Sequence, residues 1–180
     1  MATRERRVLA ATLLLVGIAG AARGDERLGI GRPATEAEIA AWNIDIDRDG
    51  RKLPPGQGRV AHGRAVFEAQ CASCHGSRGE GGLGERLVGG QGTLASAKPV
   101  KTVGSFWPYA PTLFDYIRRA MPMNAPQSLS DDDVYAVSGY VLHLNGLVPE
   151  EAVFDAKSLA AVRMPNRDGF VPDPRPDVKP

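Results

Sequence analysis

The sequence predicts an all-α domain, and three stretches carry that prediction. Gly63, Phe67 and Cys71 recur at i, i+4 and i+8, which places them on one face of a helix. Pro111 to Ala120 has a proline in its first turn, where a missing N–H costs nothing, and keeps Leu113, Phe114, Ile117 and Ala120 on one apolar face. Ser130-Asp131-Asp132-Asp133 opens a third helix: the serine caps it, Asp133 answers the serine, and three carboxylates meet the positive helix end. Val134, Val137, Val141 and Leu144 run down one side, with Tyr140 close beside them, until Asn145-Gly146 stops the helix. Between the first two helices, from Gly76 to Ala110, periodicity fades and glycines accumulate. So long an irregular stretch argues against a compact domain unless the chain wraps around something.

Cys71-Ala72-Ser73-Cys74-His75 supplies that something. Cys-x-x-Cys-His is the attachment signature of a c-type haem. Two thiols one helical turn apart each close a thioether on one of two vinyl groups at a porphyrin edge, and the next residue then stands under the iron. His75 is the expected proximal ligand, and one motif predicts one covalent haem. A structural zinc site would need four N/S ligands, usually as two pairs, and this chain has only two cysteines. A thioredoxin-like dithiol would need a βαβ setting, whereas a helical run precedes this motif and a glycine-rich loop follows it. Aromatic residues make up only 6% of the chain, thin for a small core. A buried porphyrin adds apolar burial on the order of 10 kcal/mol at about 25 cal/mol per Å².

The beginning of the chain predicts export. Arg4, Arg6 and Arg7 precede an apolar run from Val8 to Ala22, and Ala22-Arg23-Gly24 offers small residues for cleavage before Asp25. The run is short for a membrane span, so none is expected after cleavage. Losing residues 1–24 removes four arginines and Glu5, which takes basic residues from 22 to 18, acidic ones from 21 to 20, and the formal charge from +1 to −2. Nothing in that balance points to nucleic acid. The expected layout is a signal peptide over 1–24, an N-terminal arm over 25–58, a mono-haem domain over 59–148 and a C-terminal tail over 149–180.

In the arm, Thr35 and Glu38 have the spacing of a capping box, and Trp42, Ile44 and Ile46 alternate with polar residues as in an extended segment. Asp45 to Gly50 imitates the opening of a calcium loop, but Gly56 stands where the closing glutamate belongs, so a solvated turn is expected. In the tail, Val153, Phe154, Leu159 and Met164 are apolar enough to dock on something, and the proline-rich end after Val171 reads as extended.

The Gly63-Phe67-Cys71 intervals resemble the first helix of class I cytochromes c, which implies a class I cytochrome c-like fold with its glycine-rich loop around the haem. In that fold Val137 and Tyr140 would pack on Gly63 and Phe67. Small members place a Met-Pro pair just before the last helix, so the resemblance makes Met121 of Met121-Pro122-Met123 the favoured second axial ligand, with Met123 the alternative. Pro99 is a candidate to turn its carbonyl toward His75 Nδ1. Arg118 and Arg119 are either solvated or contacts for an acidic partner or a propionate. His62, His143 and Met164 are not expected to bind iron.

Longer stretches resemble one particular family. Gly31-Arg32-Pro33-Ala34-Thr35, Ile39-Ala40-Ala41-Trp42, Pro99 through Ala110, Leu113 through Pro122, Ala125 through Ser130 and Met164 through Phe170 are similar to the cytochrome c subunit of Sox-type sulfane dehydrogenase. The resemblance implies a periplasmic subunit that accepts electrons one at a time from a molybdenum-cofactor subunit oxidising sulfane or sulfite sulfur. It would pass them to a downstream acceptor such as another cytochrome and catalyse nothing alone. By position it maps the haem residues to Cys71, Cys74, His75 and Met121. A freestanding electron carrier is the alternative, and a haem peroxidase a more distant one.

Overall fold

The structure, a computed structural model, describes residues 30–175. The expected signal peptide lies outside the described residues. The chain divides into two units, Met1–Trp42 and Asn43–Pro180.

The described part of the first unit holds one helix, α1 (Glu36–Trp42). Its start is the predicted capping box: the Thr35 hydroxyl accepts from the Glu38 N–H at 3.3 Å, and Glu38 accepts from the Thr35 N–H at 2.8 Å. Arg32 grips the same carboxylate through two hydrogen bonds of 2.9 and 2.5 Å. Trp42 ends this helix instead of opening the expected alternating segment, because the cap at Thr35 sets a helical register that runs through it.

In the second unit the segment after Asn43 has no regular secondary structure and buries Ile46, whose N–H donates to Asp115 at 2.8 Å. The calcium-like stretch is a turn closed on itself. Asp47 accepts from the N–H groups of Asp49 and Arg51, at 3.0 and 2.9 Å, and pairs with the Arg51 guanidinium. A short strand β1 (Gly58–Arg59) then leads into α2 (Val60–Gln70) and the single turn α3 (Ala72–His75). After the glycine-rich loop come α4 (Ala110–Ala120) and α5 (Asp131–Leu144). Strand β2 (Val153–Phe154) and α6 (Ala156–Ala160) complete the unit.

The core forms where α2 crosses α5. Gly63 makes the crossing possible, since a β-carbon there would lie 2.0 Å from the carbonyl oxygen of Ala136. Phe67 and Tyr140 meet edge to face at 5.5 Å, a favoured aromatic geometry. The expected partner pair shifts by one residue. Ala136 and Tyr140, four apart on one helix face, meet Gly63, while Val137 turns into the core and is buried there. Leu113, Phe114 and Ile117 of α4 close another side, with Phe114 against Tyr135 at 4.4 Å. The Ser130 cap is present, its hydroxyl accepting from the Asp133 N–H at 3.1 Å.

Of the four tail residues expected to dock on something, three dock on the haem domain and Val153 stays 39% exposed. Phe154, Leu159 and Met164 are 5%, 0% and 1% exposed and belong to its core. β2 pairs antiparallel with β1, placing Phe154 opposite Gly58, and a reciprocal capping box between Asp155 and Ser158 starts α6. Farther on, Asn166 donates to the Phe106 carbonyl at 2.7 Å and Phe170 lies edge to face on Phe106.

Candidate haem site

Cys71 ends α2, and α3 then carries Cys74 and His75 within one turn, so the backbone sets the three side chains at the spacing their chemistry needs. Both thiols are unpaired. Burial, reinforced by Cys74 beside it, pushes the Cys71 thiol up to about 11. A redox dithiol needs the opposite shift. Among the described residues, no group of three His, Cys, Asp or Glu side chains gathers as a metal cluster would require.

The carbonyl that orients His75 belongs to Glu85, not to Pro99. His75 Nδ1 donates to it at 2.7 Å. A carbonyl only accepts, so the proton sits on Nδ1 and the lone pair on Nε2, the nitrogen left to coordinate. The bond corrects the expected one for a local reason. The loop turns back at once after the motif, with the Gly84 N–H donating to the Cys74 carbonyl at 2.7 Å, and that turn delivers residue 85 beside the imidazole. Gly84 itself lies against the ring, where a β-carbon would sit 2.9 Å from Cε1. Pro99 is exposed.

Asn145 holds the loop that carries Glu85. Its amide donates to the carbonyls of Leu87 and Val141 at 3.1 and 2.9 Å, and its side-chain oxygen accepts from the Gly89 N–H at 3.1 Å. Its own carbonyl accepts from Gln91 at 3.2 Å. In the sequence Asn145 reads only as a helix stop. The one available signal is a buried amide preceding a glycine, which does not reveal a partner 56 residues away.

Met121 follows the last residue of α4 in an extended conformation and is half-buried at the edge of the core, whereas Met123 is 80% exposed. Leu87, Trp107 and Leu129 also lie half-buried against the core. These residues fit a c-type haem: free thiols one turn apart, an imidazole with its outer nitrogen available, and a glycine clearing the ring.

The remaining candidates have other work. Arg118 pairs with Asp131 at 2.8 Å and Arg119 with the buried Asp115 at 2.6 Å, so both bind acids of their own chain, an outcome outside the two expected. His62 Nε2 lies 2.8 Å from Asp133, and His143 Nδ1 donates to the Val148 carbonyl at 3.0 Å. Met164 fills the core. Tyr109 is flanked by the guanidinium groups of Arg48 and Arg167, at 5.9 and 4.7 Å from its ring centre.

Comparison with known proteins finds three likenesses. Residues 58–141 match the family described as cytochrome C oxidase, cbb3-type, subunit III. A thiosulfate dehydrogenase of Allochromatium vinosum is 34% identical over 84 residues, which are 45% of this chain and 30% of that protein. The chain thus spans less than a third of that curated relative's length. A chain in the crystal structure of the sulfane dehydrogenase SoxCD from Paracoccus pantotrophus is 46% identical, with a TM-score of 0.75. That match covers 83% of this chain and 74% of the other.

Proposed function

The chain belongs to the Sox-type cytochromes c, and on that premise we propose that it is the periplasmic mono-haem subunit of a molybdenum-dependent sulfane or sulfite dehydrogenase. It accepts electrons singly from the molybdenum-cofactor subunit during sulfur oxidation and passes them to an acceptor such as another cytochrome. The observation that carries the reading is the likeness to SoxCD over 83% of this chain, joined to a motif whose imidazole is already oriented. No helix among the described residues is long and apolar enough to cross a membrane.

Cys71 and Cys74 would hold the haem through their thiols, and His75 and Met121 are the side chains that would ligate its iron. Bound there, the haem supplies reversible one-electron chemistry, at a potential that thioether ligation raises. The Glu85 carbonyl fixes the tautomer and plane of His75, and the hydrogen bond lends the imidazole electron density. Met121 is preferred over Met123 because a half-buried thioether needs little rearrangement to meet an apolar cofactor, whereas Met123 stands in solvent. With His75 and Met121 both ligating, the iron would offer no place to substrate, and the subunit's work would be transfer and not catalysis.

Native purification tests this. Haem absorbance is followed through size exclusion and the haem fractions are assayed for molybdenum. Co-elution of molybdenum with a larger subunit is expected. Haem eluting alone near the 19.2 kDa chain mass would leave a freestanding carrier instead. Met121→Ala should lower the reduction potential and open the iron to small ligands, and an unchanged potential would move the ligand to Met123.

A further inference from the structure

The two flanks of the haem domain differ in what they leave exposed. Tail residues Phe154, Leu159 and Met164 are spent on the core of the second unit. In the arm no residue of α1 is buried, and Ile30, Ile39 and Trp42 are 87%, 46% and 87% exposed. Ile39 and Trp42, three apart, share one helix face.

That helix is also too well specified for a spacer. Seven residues are too few for a stable isolated helix in water, yet this one has a reciprocal cap and a two-bond clamp from Arg32 onto the capping glutamate. The clamp neutralises Glu38 and leaves the other face apolar. A short helix fixed in shape before it meets a surface loses less entropy on docking. The likeness to SoxCD reaches the arm as well, because 83% of this chain is a longer stretch than Asn43–Pro180 provides. The match to a chain of a dehydrogenase complex thus extends into the first unit, although no residue of α1 is buried.

We infer that the arm is the element that grips the molybdenum-cofactor subunit: the Ile39 and Trp42 face of α1 seats in an apolar groove on that subunit, and the tail takes no part. The inference rests on the dehydrogenase-subunit reading and answers a question that reading leaves open. Tryptophan is one of the residue types enriched among interface anchors.

The test titrates purified molybdenum-cofactor subunit of the same dehydrogenase into the full-length haem protein, comparing wild type, Ile39→Ala/Trp42→Ala and the tail-surface variant Val171→Ser. Wild type and Val171→Ser should bind alike. The arm variant should bind at least tenfold more weakly, with haem spectrum, reduction potential and melting temperature unchanged. Arm-variant binding equal to wild type would overturn the inference and leave the functional reading standing. Wild type that binds no molybdenum subunit would overturn that reading and this inference with it. Concentration-dependent dimers of the wild type that the arm variant abolishes and added molybdenum subunit does not would make a second copy the occupant and overturn the inference alone.

Discussion

The arm and the tail are both apolar additions to a haem domain: in sequence each carries a few large side chains, and in the structure each holds a capped short helix. The structure separates them. The tail's helix α6 sends Leu159 into the core at 0% exposure, and the arm's helix α1 buries nothing. A capping box therefore fixes where a helix begins, but whether the helix stabilises the fold depends on what its apolar face meets. The tail belongs to the folding unit, as does the later part of the arm with its buried Ile46, whereas α1 has no buried residue.

Truncation should break the symmetry most. Removing residues 149–180 strips Phe154, Leu159 and Met164 from the core and β2 from β1, so the product should fail to hold haem or to melt cooperatively. Removing residues 25–42 from the mature chain should leave haem absorbance and melting temperature where they were. Haem absorbance and circular dichroism of both products check this, and a well-folded tail deletion would refute the assignment of the tail to the core.

Single residues sharpen the same contrast. Leu159→Ala should cost about 2–5 kcal/mol in chemical denaturation, the range for emptying a buried leucine site. Trp42→Ala, on a much larger side chain, should cost almost nothing in the same experiment. Asn145→Ala should fall next. It leaves the Leu87 and Val141 carbonyls and the Gly89 N–H without their partner, at about 1–3 kcal/mol for buried polar groups left unpaired. Because Glu85 rides on that loop, the variant should also shift the haem potential, which a purely structural loss elsewhere in the core would not do.

The smallest effect compares two caps. Asp133 is held below the ordinary aspartate range by the Ser130 hydroxyl and by His62, and Glu38 is held down to about 2 by Arg32 and Thr35. A carboxylate whose folded value is depressed contributes stability above its unfolded value, and loses it as pH falls through the folded one. Asp133→Asn should therefore flatten the acid limb of the stability curve below about pH 4, with a loss near 1 kcal/mol at neutral pH. Glu38→Gln should leave the melting of the haem domain unchanged at every pH, because its helix is not part of that transition.

What the sequence discloses and what it hides divide along the same line. The three main helices and the Thr35 and Ser130 caps are local patterns, and each is present as read, while the crossing at Gly63 is present with its partner pair shifted by one residue. The Glu85 carbonyl is hidden because any residue has one, and only the closure of the loop decides which points at His75. Pro99 drew notice as a proline, not by its position. The partners of Arg118 and Arg119 were equally obscure, since Asp131 and Asp115 are ordinary acids until the helices pack. Tail burial followed no period at all: Phe154, Leu159 and Met164 come from a strand, a helix and a loop, and only the shared core unites them.

The central claim, that this chain takes electrons one at a time from a sulfur-oxidising subunit through a haem its own side chains fully ligate, is tested most directly by rapid mixing. The co-purified complex, oxidised and free of air, is mixed with a sulfane or sulfite sulfur donor while the haem absorbance is followed. The account predicts reduction of one haem per cytochrome subunit within the turnover time, with a six-coordinate low-spin spectrum before and after. Turnover to an external acceptor while the haem stays oxidised, or a high-spin spectrum with an open iron position, would contradict it.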